Sequence, residues 1–226
     1  GRVIDLVQGT GFAKQGYPAR ALFSIPFVGI NEKGNPVCIN EKGQATVGDL
    51  NFQERDNTDY LIYEGSTDPI YNGSLGNTFN YKGFHLNLFL TYAFGNVVRL
   101  DPVFSAKYND LTSMTHDFKN RWMQPGDENV TNVPGVVSRY EYEQNRTLLS
   151  TAYNAYNYTS VRTAKGDFIR LKEISLAYDF PHRWLENSPV NNISLKLQAT
   201  NLMLLYADKK LNGQDPEFMN AGGVAS

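Results

Sequence analysis

Apolar and polar positions alternate strictly along Phe84–Phe94, FHLNLFLTYAF. Phe84, Leu86, Leu88, Leu90, Tyr92 and Phe94 fall on one parity, and His85, Asn87, Phe89, Thr91 and Ala93 on the other. Successive side chains of a strand point to opposite faces, so this segment predicts a strand with one unbroken apolar face and one mixed polar face. Ser74–Tyr81 precedes it, with Leu75, Phe79 and Tyr81 set against Ser74, Thr78 and Asn80. Only Lys82-Gly83 separates the two, which predicts a tight antiparallel hairpin. A second pair is expected from Asp167–Phe180 and Asn191–Leu205. Ile174, Leu176, Tyr178 and Phe180 share a face in its first strand, and Ile193, Leu195, Leu197 and Ala199 in its second. The linker Pro181–Pro189 has proline at both ends and continues neither strand. Further strands are expected over Ala21–Ile30 and Arg2–Gln8, giving about six in all by these patterns.

Arg99–Lys165 is different: it is long, rich in Asn, Tyr and Thr, and poor in two-residue periodicity. Leu111, Met114, Phe118 and Trp122 recur at helical spacing, which predicts a short amphipathic helix ending before Pro125-Gly126. Loops of this length are uncommon in compact domains and are often functional. The fold class is therefore all-β and antiparallel, with a long loop carrying a short helix.

Two architectures accommodate such strands. In a soluble sandwich the apolar face meets a second sheet. In an outer-membrane barrel it meets lipid and the polar face lines the lumen. The connections bear on the choice, because the short breaks at 82–83 and 181–189 fall at one end of the strands and the long segment at the other. Short turns at one end and long loops at the other is the outer-membrane pattern. Both architectures stay open on periodicity alone.

Composition narrows the function classes. Lys+Arg is 21 and Asp+Glu 23, a near-balance without the basic excess of a nucleic-acid surface. The single cysteine, Cys38, allows neither an internal disulfide framework nor a cysteine zinc site. His85, His116 and His182 show no metal-ligand spacing, and Asp208, Asn212, Gln214, Asp215 and Glu217 lack the tight alternation of a calcium loop. Glu141 and Glu143 have no sign of the facing arrangement that glycoside hydrolysis requires. No nucleotide-binding or nucleophile-elbow motif occurs, so neither a cofactor nor a catalytic residue is expected. The aromatics stand out: Tyr 14, Phe 13 and Trp 2. Five of the tyrosines, Tyr140, Tyr142, Tyr153, Tyr156 and Tyr158, fall close together in the long segment. Their rings suit stacking on a sugar or peptide, an interfacial girdle, or packing within the loop or against a partner, and Trp122 joins them as a candidate contact.

At this point a resemblance emerges. Gly65–Phe94, GSTDPIYNGSLGNTFNYKGFHLNLFLTYAF, resembles the barrel signature of SusC/RagA-like TonB-dependent outer-membrane transporters. Arg121–Pro134, RWMQPGDENVTNVP, is similar to the family's R-W loop, and Asp167–Pro181, DFIRLKEISLAYDFP, to its F-x-R-L-K strand. Asn201-Leu202 and Asn212–Phe218, NGQDPEF, are similar to its N-L and G-x-D-P-E elements. The set covers most of residues 16–220 in the family's order. The resemblance implies that 1–226 is the C-terminal part of a receptor β-barrel, with closing strand, plug domain and signal peptide absent from it. It implies an importer of oligosaccharides or peptides in the bacterial outer membrane, in contact with membrane lipid, driven by the TonB complex through the absent N-terminal part, and lidded by a SusD-like surface lipoprotein. The alternative from the residues alone is a soluble all-β module that binds carbohydrate or protein.

Overall fold

The computed structural model describes residues 1–10, 13–103 and 115–218. They divide into two compact units. One, the loop unit, is drawn from Gly1–Asp68, Asn96–Lys165 and the stretch from Lys209 onward; the other, the sheet unit, from Pro69–Gly95 and Gly166–Asp208. No helix among the described residues is long and apolar enough to cross a membrane, which leaves strands untouched.

The loop unit begins with helix α1, Val3–Gln8, where a strand is expected. Its apolar residues explain the difference. Val3, Leu6 and Val7 are buried and stand at helical spacing, so a helix puts all three in one core. Arg2 donates its backbone N–H and guanidinium to Asp5 at the first turn, and Gly9 closes the helix at φ 63. The expected strand over Ala21–Ile30 is two, β1 (Ala21–Ser24) and β2 (Phe27–Ile30). Pro26 interrupts it: it has no N–H to donate, and its carbonyl accepts from Ile39 at 3.0 Å. β3 (Pro36–Ile39) and β4 (Ala45–Thr46) complete an antiparallel sheet with β2, while β5 (Ile62–Ser66) pairs antiparallel with β1.

The sheet unit contributes β6 (Tyr71–Tyr81) and β7 (Phe84–Phe94) next along the chain. The long segment that follows opens with β8 (Val97–Arg99). Leu111 and Met114 of the expected amphipathic helix lie outside the described residues. His116–Asn120 is one 3-10 turn, and at Arg121 the chain becomes extended and pairs with Val133, so Trp122 is not helical. The helices of this segment are α2 (Arg139–Gln144) and α3 (Arg146–Tyr156). Ser138 caps α2 by accepting from the Glu141 N–H at 3.2 Å. α3 buries Leu149, Ala152, Tyr153, Ala155 and Tyr156 along one stripe. β9 (Thr163–Lys165) pairs back on β8.

β10 (Phe168–Asp179) and β11 (Ser194–Ala207) complete the sheet unit. Its four strands run in the order β11-β10-β7-β6, every neighbour antiparallel. Both expected hairpin pairings and the junction of β7 with β10 hold. Lys82 (φ 45) and Gly83 (φ 85) form the two-residue turn between β6 and β7. Asp179 donates its N–H to the Gly83 carbonyl at 2.8 Å, which puts the connection after β10 at the same end. The chain enters and leaves the sheet at the opposite end, at Tyr71, Phe94, Phe168 and Ala207.

Candidate functional site

The sheet unit has two chemically distinct faces, and its register shows how they arise. Side chains directly opposite across an antiparallel pair share a face. On one face Phe79, Leu86, Leu176 and Leu197 form a row, and Leu75, Leu90, Leu171 and Met203 another. Between them lie Asn77, Leu88, Ile174 and Ala199. Much of this aliphatic band is exposed: Leu75, Phe79, Leu176, Leu197 and Met203 all are, Leu197 at 64%. Aromatic rings bound it at both ends. At the turn end stand Tyr81, Phe84 and Tyr178, with Phe84 and Tyr178 ring centroids 4.4 Å apart. Phe180 lies 5.1 Å beyond Tyr178, and Trp184 6.0 Å beyond Phe180. At the other end stand Tyr71, Phe94, Tyr92 and Tyr206. Gly73 faces Tyr92, and a Cβ there would fall 2.6 Å from the phenol oxygen, so the ring lies across the glycine.

The dimensions are informative. Tyr71 and Tyr81, like Phe84 and Phe94, stand ten positions apart. At about 3.3 Å per residue that is roughly 33 Å along the strand, or about 23 Å across a bilayer at the roughly 45° tilt of membrane strands. The apolar band of outer-membrane barrels is about 25 Å tall between aromatic girdles.

The other face is polar and internally bonded. Thr78 donates to Asn87 Oδ1 at 2.7 Å, and the Asn87 amide donates to Ser175 Oγ at 3.1 Å, a chain across three strands. His85 sits between Asn80 and Asp179, with Nε2 2.8 Å from Asp179 Oδ2. Gly76, Phe89, Glu173 and Thr200 form the next row.

The aromatic candidates belong to the loop unit, which places them very differently from one another. Tyr156 is 1% exposed and packs edge-on against Phe27 at 5.7 Å; burial pushes its phenol up to about 12. Tyr153 is buried and donates its hydroxyl to the carbonyls of Gly34, at 3.4 Å, and Gly135, at 2.5 Å. Those two glycines also hold Trp122, whose ring lies too close to both for any Cβ. The Trp122 indole donates to Glu128 at 2.9 Å, and that bond is the first reason the Glu128 carboxyl is held below its ordinary range. Trp122 and Tyr153 are thus brought together at one glycine pair. Tyr142 packs on Leu149, Ala152 and Tyr153. Tyr158 meets Phe52 edge-on at 6.2 Å and accepts from Gln8 at 3.4 Å. Tyr140 alone of the five projects, at 76% exposed.

One group of the loop unit has no counterpart in the sequence reading. Arg99 is 1% exposed and donates to Ser24 Oγ and to the carbonyls of Thr159, Val7 and Phe23 at 2.6–3.0 Å. Burial lowers its guanidinium to about 10. It ties α1, β1 and the segment after α3 into one core.

No family model matches the chain. TonB-dependent receptor P39 of Formosa agariphila is 26% identical over 189 residues, which is 78% of this chain and 16% of that protein. TonB-dependent receptor P3 of the same organism is 26% identical over 160 residues, 68% of this chain and 13% of that protein. Among solved structures, the RagAB peptide importer in its open-open state matches 91% of this chain and 20% of its own, with a TM-score of 0.56 and 18% identity. The closed-closed state matches with a TM-score of 0.55 at 20% identity. The chain resembles SusC/RagA-like TonB-dependent transporters in sequence and in fold. The chain spans less than a fifth of the length of either curated relative.

The two aromatic rows of the sheet are distinct from the tyrosine cluster that stands out in the sequence. The girdle-like rings come from Tyr71, Tyr81, Phe84, Tyr92, Tyr178 and Tyr206 on four strands, not from the tyrosine-rich loop. Each sits at or near a strand end on the apolar side; parity alone marks Tyr81, Phe84, Tyr92 and Tyr178, but only the register aligns them into rows.

Proposed function

We propose that this chain supplies barrel wall and extracellular loops to an outer-membrane TonB-dependent importer, as the C-terminal part of its β-barrel. The sheet unit forms wall, with the aliphatic face toward lipid and the Thr78–Asn87–Ser175 face toward the lumen. The turns at 82–83 and 181–193 are periplasmic, and the connections at the opposite strand ends are extracellular. The observation that carries this reading is the exposed aliphatic band bounded by aromatic rows at bilayer spacing.

The importer takes up an oligosaccharide or a peptide, powered by TonB and lidded by a SusD-like surface lipoprotein. The likeness to TonB-dependent receptors and to the RagAB peptide importer supports that assignment. The test is cell fractionation combined with uptake. The protein should sit in the outer membrane and co-isolate with a surface lipoprotein in mild detergent, and disruption of its gene should abolish periplasmic accumulation of one labelled glycan or peptide. Recovery in the soluble fraction with uptake intact would overturn the proposal.

A further inference from the structure

The turn between β6 and β7 holds a residue that its backbone does not favour. Lys82 and Gly83 both have positive φ, the form of hairpin turn that selects Asn-Gly. A lysine at φ 45 is uncommon there, and such outliers tend to persist where the side chain has work to do. The Lys82 ammonium lies 5.2 Å from the centroid of the Tyr81 ring. Tyr81 is 68% exposed on the aliphatic face, in the row with Phe84 and Tyr178. The strained turn therefore carries a cation to the rim of the apolar face, over a ring at that rim. A second exposed cation, Arg183, occurs in the connection at the same end, next to Trp184, which extends the aromatic row through Phe180. The acids at this end are Asp179, which is engaged by His85 on the polar face, and Glu186. At the opposite end the strand-flanking charges are of both signs: Asp68, Lys165, Asp167, Asp208, Lys209 and Lys210, with Asp167 accepting from the Gly95 N–H at 2.8 Å.

We propose that Lys82 and Arg183 engage the phosphates of phospholipid headgroups in the leaflet at the short-turn end of the sheet, with Tyr81 and Trp184 seated at the same depth. This rests on the membrane reading above and adds a lipid site to it. Long basic side chains at a membrane rim extend toward the headgroups, and Tyr and Trp sit at that level with their apolar parts in the hydrocarbon. The ammonium over Tyr81 is held where a phosphate oxygen can replace water, and the ring supports the cation.

The test uses the full-length protein in detergent, titrated with phosphatidylglycerol and followed by native mass spectrometry. Diacylglycerol with the same chains serves as the phosphate-free reference. Lys82→Asn restores the residue that the turn favours, so the hairpin is kept while the charge is lost. Lys82→Asn and Arg183→Gln should each weaken phosphatidylglycerol binding roughly fivefold, the equivalent of about 1 kcal/mol per basic side chain at an anionic surface. Both should leave diacylglycerol binding unchanged. Unchanged phosphatidylglycerol binding in Lys82→Asn would overturn the proposal. So would displacement of the lipid by inorganic phosphate, which would make this a site for the free anion. A full-length protein that stays monodisperse in water without detergent would overturn the membrane reading itself, a separate outcome.

Discussion

Leu171 and Ile174 lie on the same face of the sheet although they stand three positions apart. Leu171 stands opposite Leu90 and Ile174 opposite Leu88, while Lys172 is the extra residue of a β-bulge. The bulge shifts the parity of β10, so Ile169 and Leu171 join Ile174, Leu176 and Tyr178 on the apolar face. On β11 the same break carries Asn201 at φ 53. Removing Lys172 restores plain alternation and sends either half of β10 to the wrong face. Deletion of Lys172 in the full-length protein should abolish the heat-modifiable folded band on semi-native gels, whereas Lys172→Ala should retain it. A folded band in the deletion mutant would show that the bulge is dispensable.

Charge on the apolar face should cost according to depth. Leu88 is at the centre of the aliphatic band and Tyr81 at its rim. Leu88→Arg should destabilise the protein in lipid vesicles by about 2–4 kcal/mol, and Tyr81→Arg by about 0–1 kcal/mol. Asn87→Arg, on the polar face, should also cost less than Leu88→Arg. Urea unfolding in vesicles measures all three, and equal costs at positions 87 and 88 would contradict the assignment of faces.

The tyrosines of the loop unit should separate into two groups. Tyr156→Ala opens a cavity beside Phe27 and should cost about 3–5 kcal/mol, as for other large aromatics in cores. Tyr140→Ala should leave thermal stability unchanged and lower substrate uptake or lipoprotein binding. Loss of stability in Tyr140→Ala, or none in Tyr156→Ala, would reverse their roles.

Alkaline pH should loosen the loop unit. Tyr156 is raised from 10.0 to about 12 and Cys38 from 9.0 to about 12, both by burial. A raised folded pKa contributes stability that is full below the unfolded value and is lost as pH climbs to the folded one. These groups therefore weaken the fold between about pH 9 and 12. Arg99 acts with the opposite sign, since its guanidinium is lowered to about 10 and the burial penalty eases above that. Tyrosinate absorbance should rise in two phases, the later one coinciding with loss of near-ultraviolet dichroism. Tyr156→Phe should shift that loss upward in pH.

What the sequence displayed was the part of the fold with unbroken period. β7 has no bulge along its eleven residues, and both its bounds and its facing follow from parity. In β10 the alternation is legible only from Ile174 onward, because the phase change at Lys172 hides Ile169 and Leu171 from a single-parity count. α3 is masked in the sequence because two of its core residues, Tyr153 and Tyr156, resemble binding residues by composition. The helical spacing of Leu149, Ala152, Tyr153 and Tyr156 and the Ser138/Glu141 cap were both present in the sequence. The aromatic rows could not be read along the chain, since each ring comes from a different strand and only register aligns them. Arg99 had no pattern to mark it, as its partners are three backbone carbonyls and one serine hydroxyl, all distant in sequence.

The most direct measurement of the central claim compares neighbouring positions 87 and 88 in the full-length protein reconstituted into vesicles. A single cysteine placed at either position is labelled with a small environment-sensitive fluorophore. It is then quenched either by brominated acyl chains or by aqueous iodide. The label at position 88 should be quenched by the brominated lipid and shielded from iodide, and the label at position 87 should escape the brominated lipid. Iodide reaching position 88 while brominated lipid does not would contradict a membrane-facing Leu88 and with it the barrel-wall account.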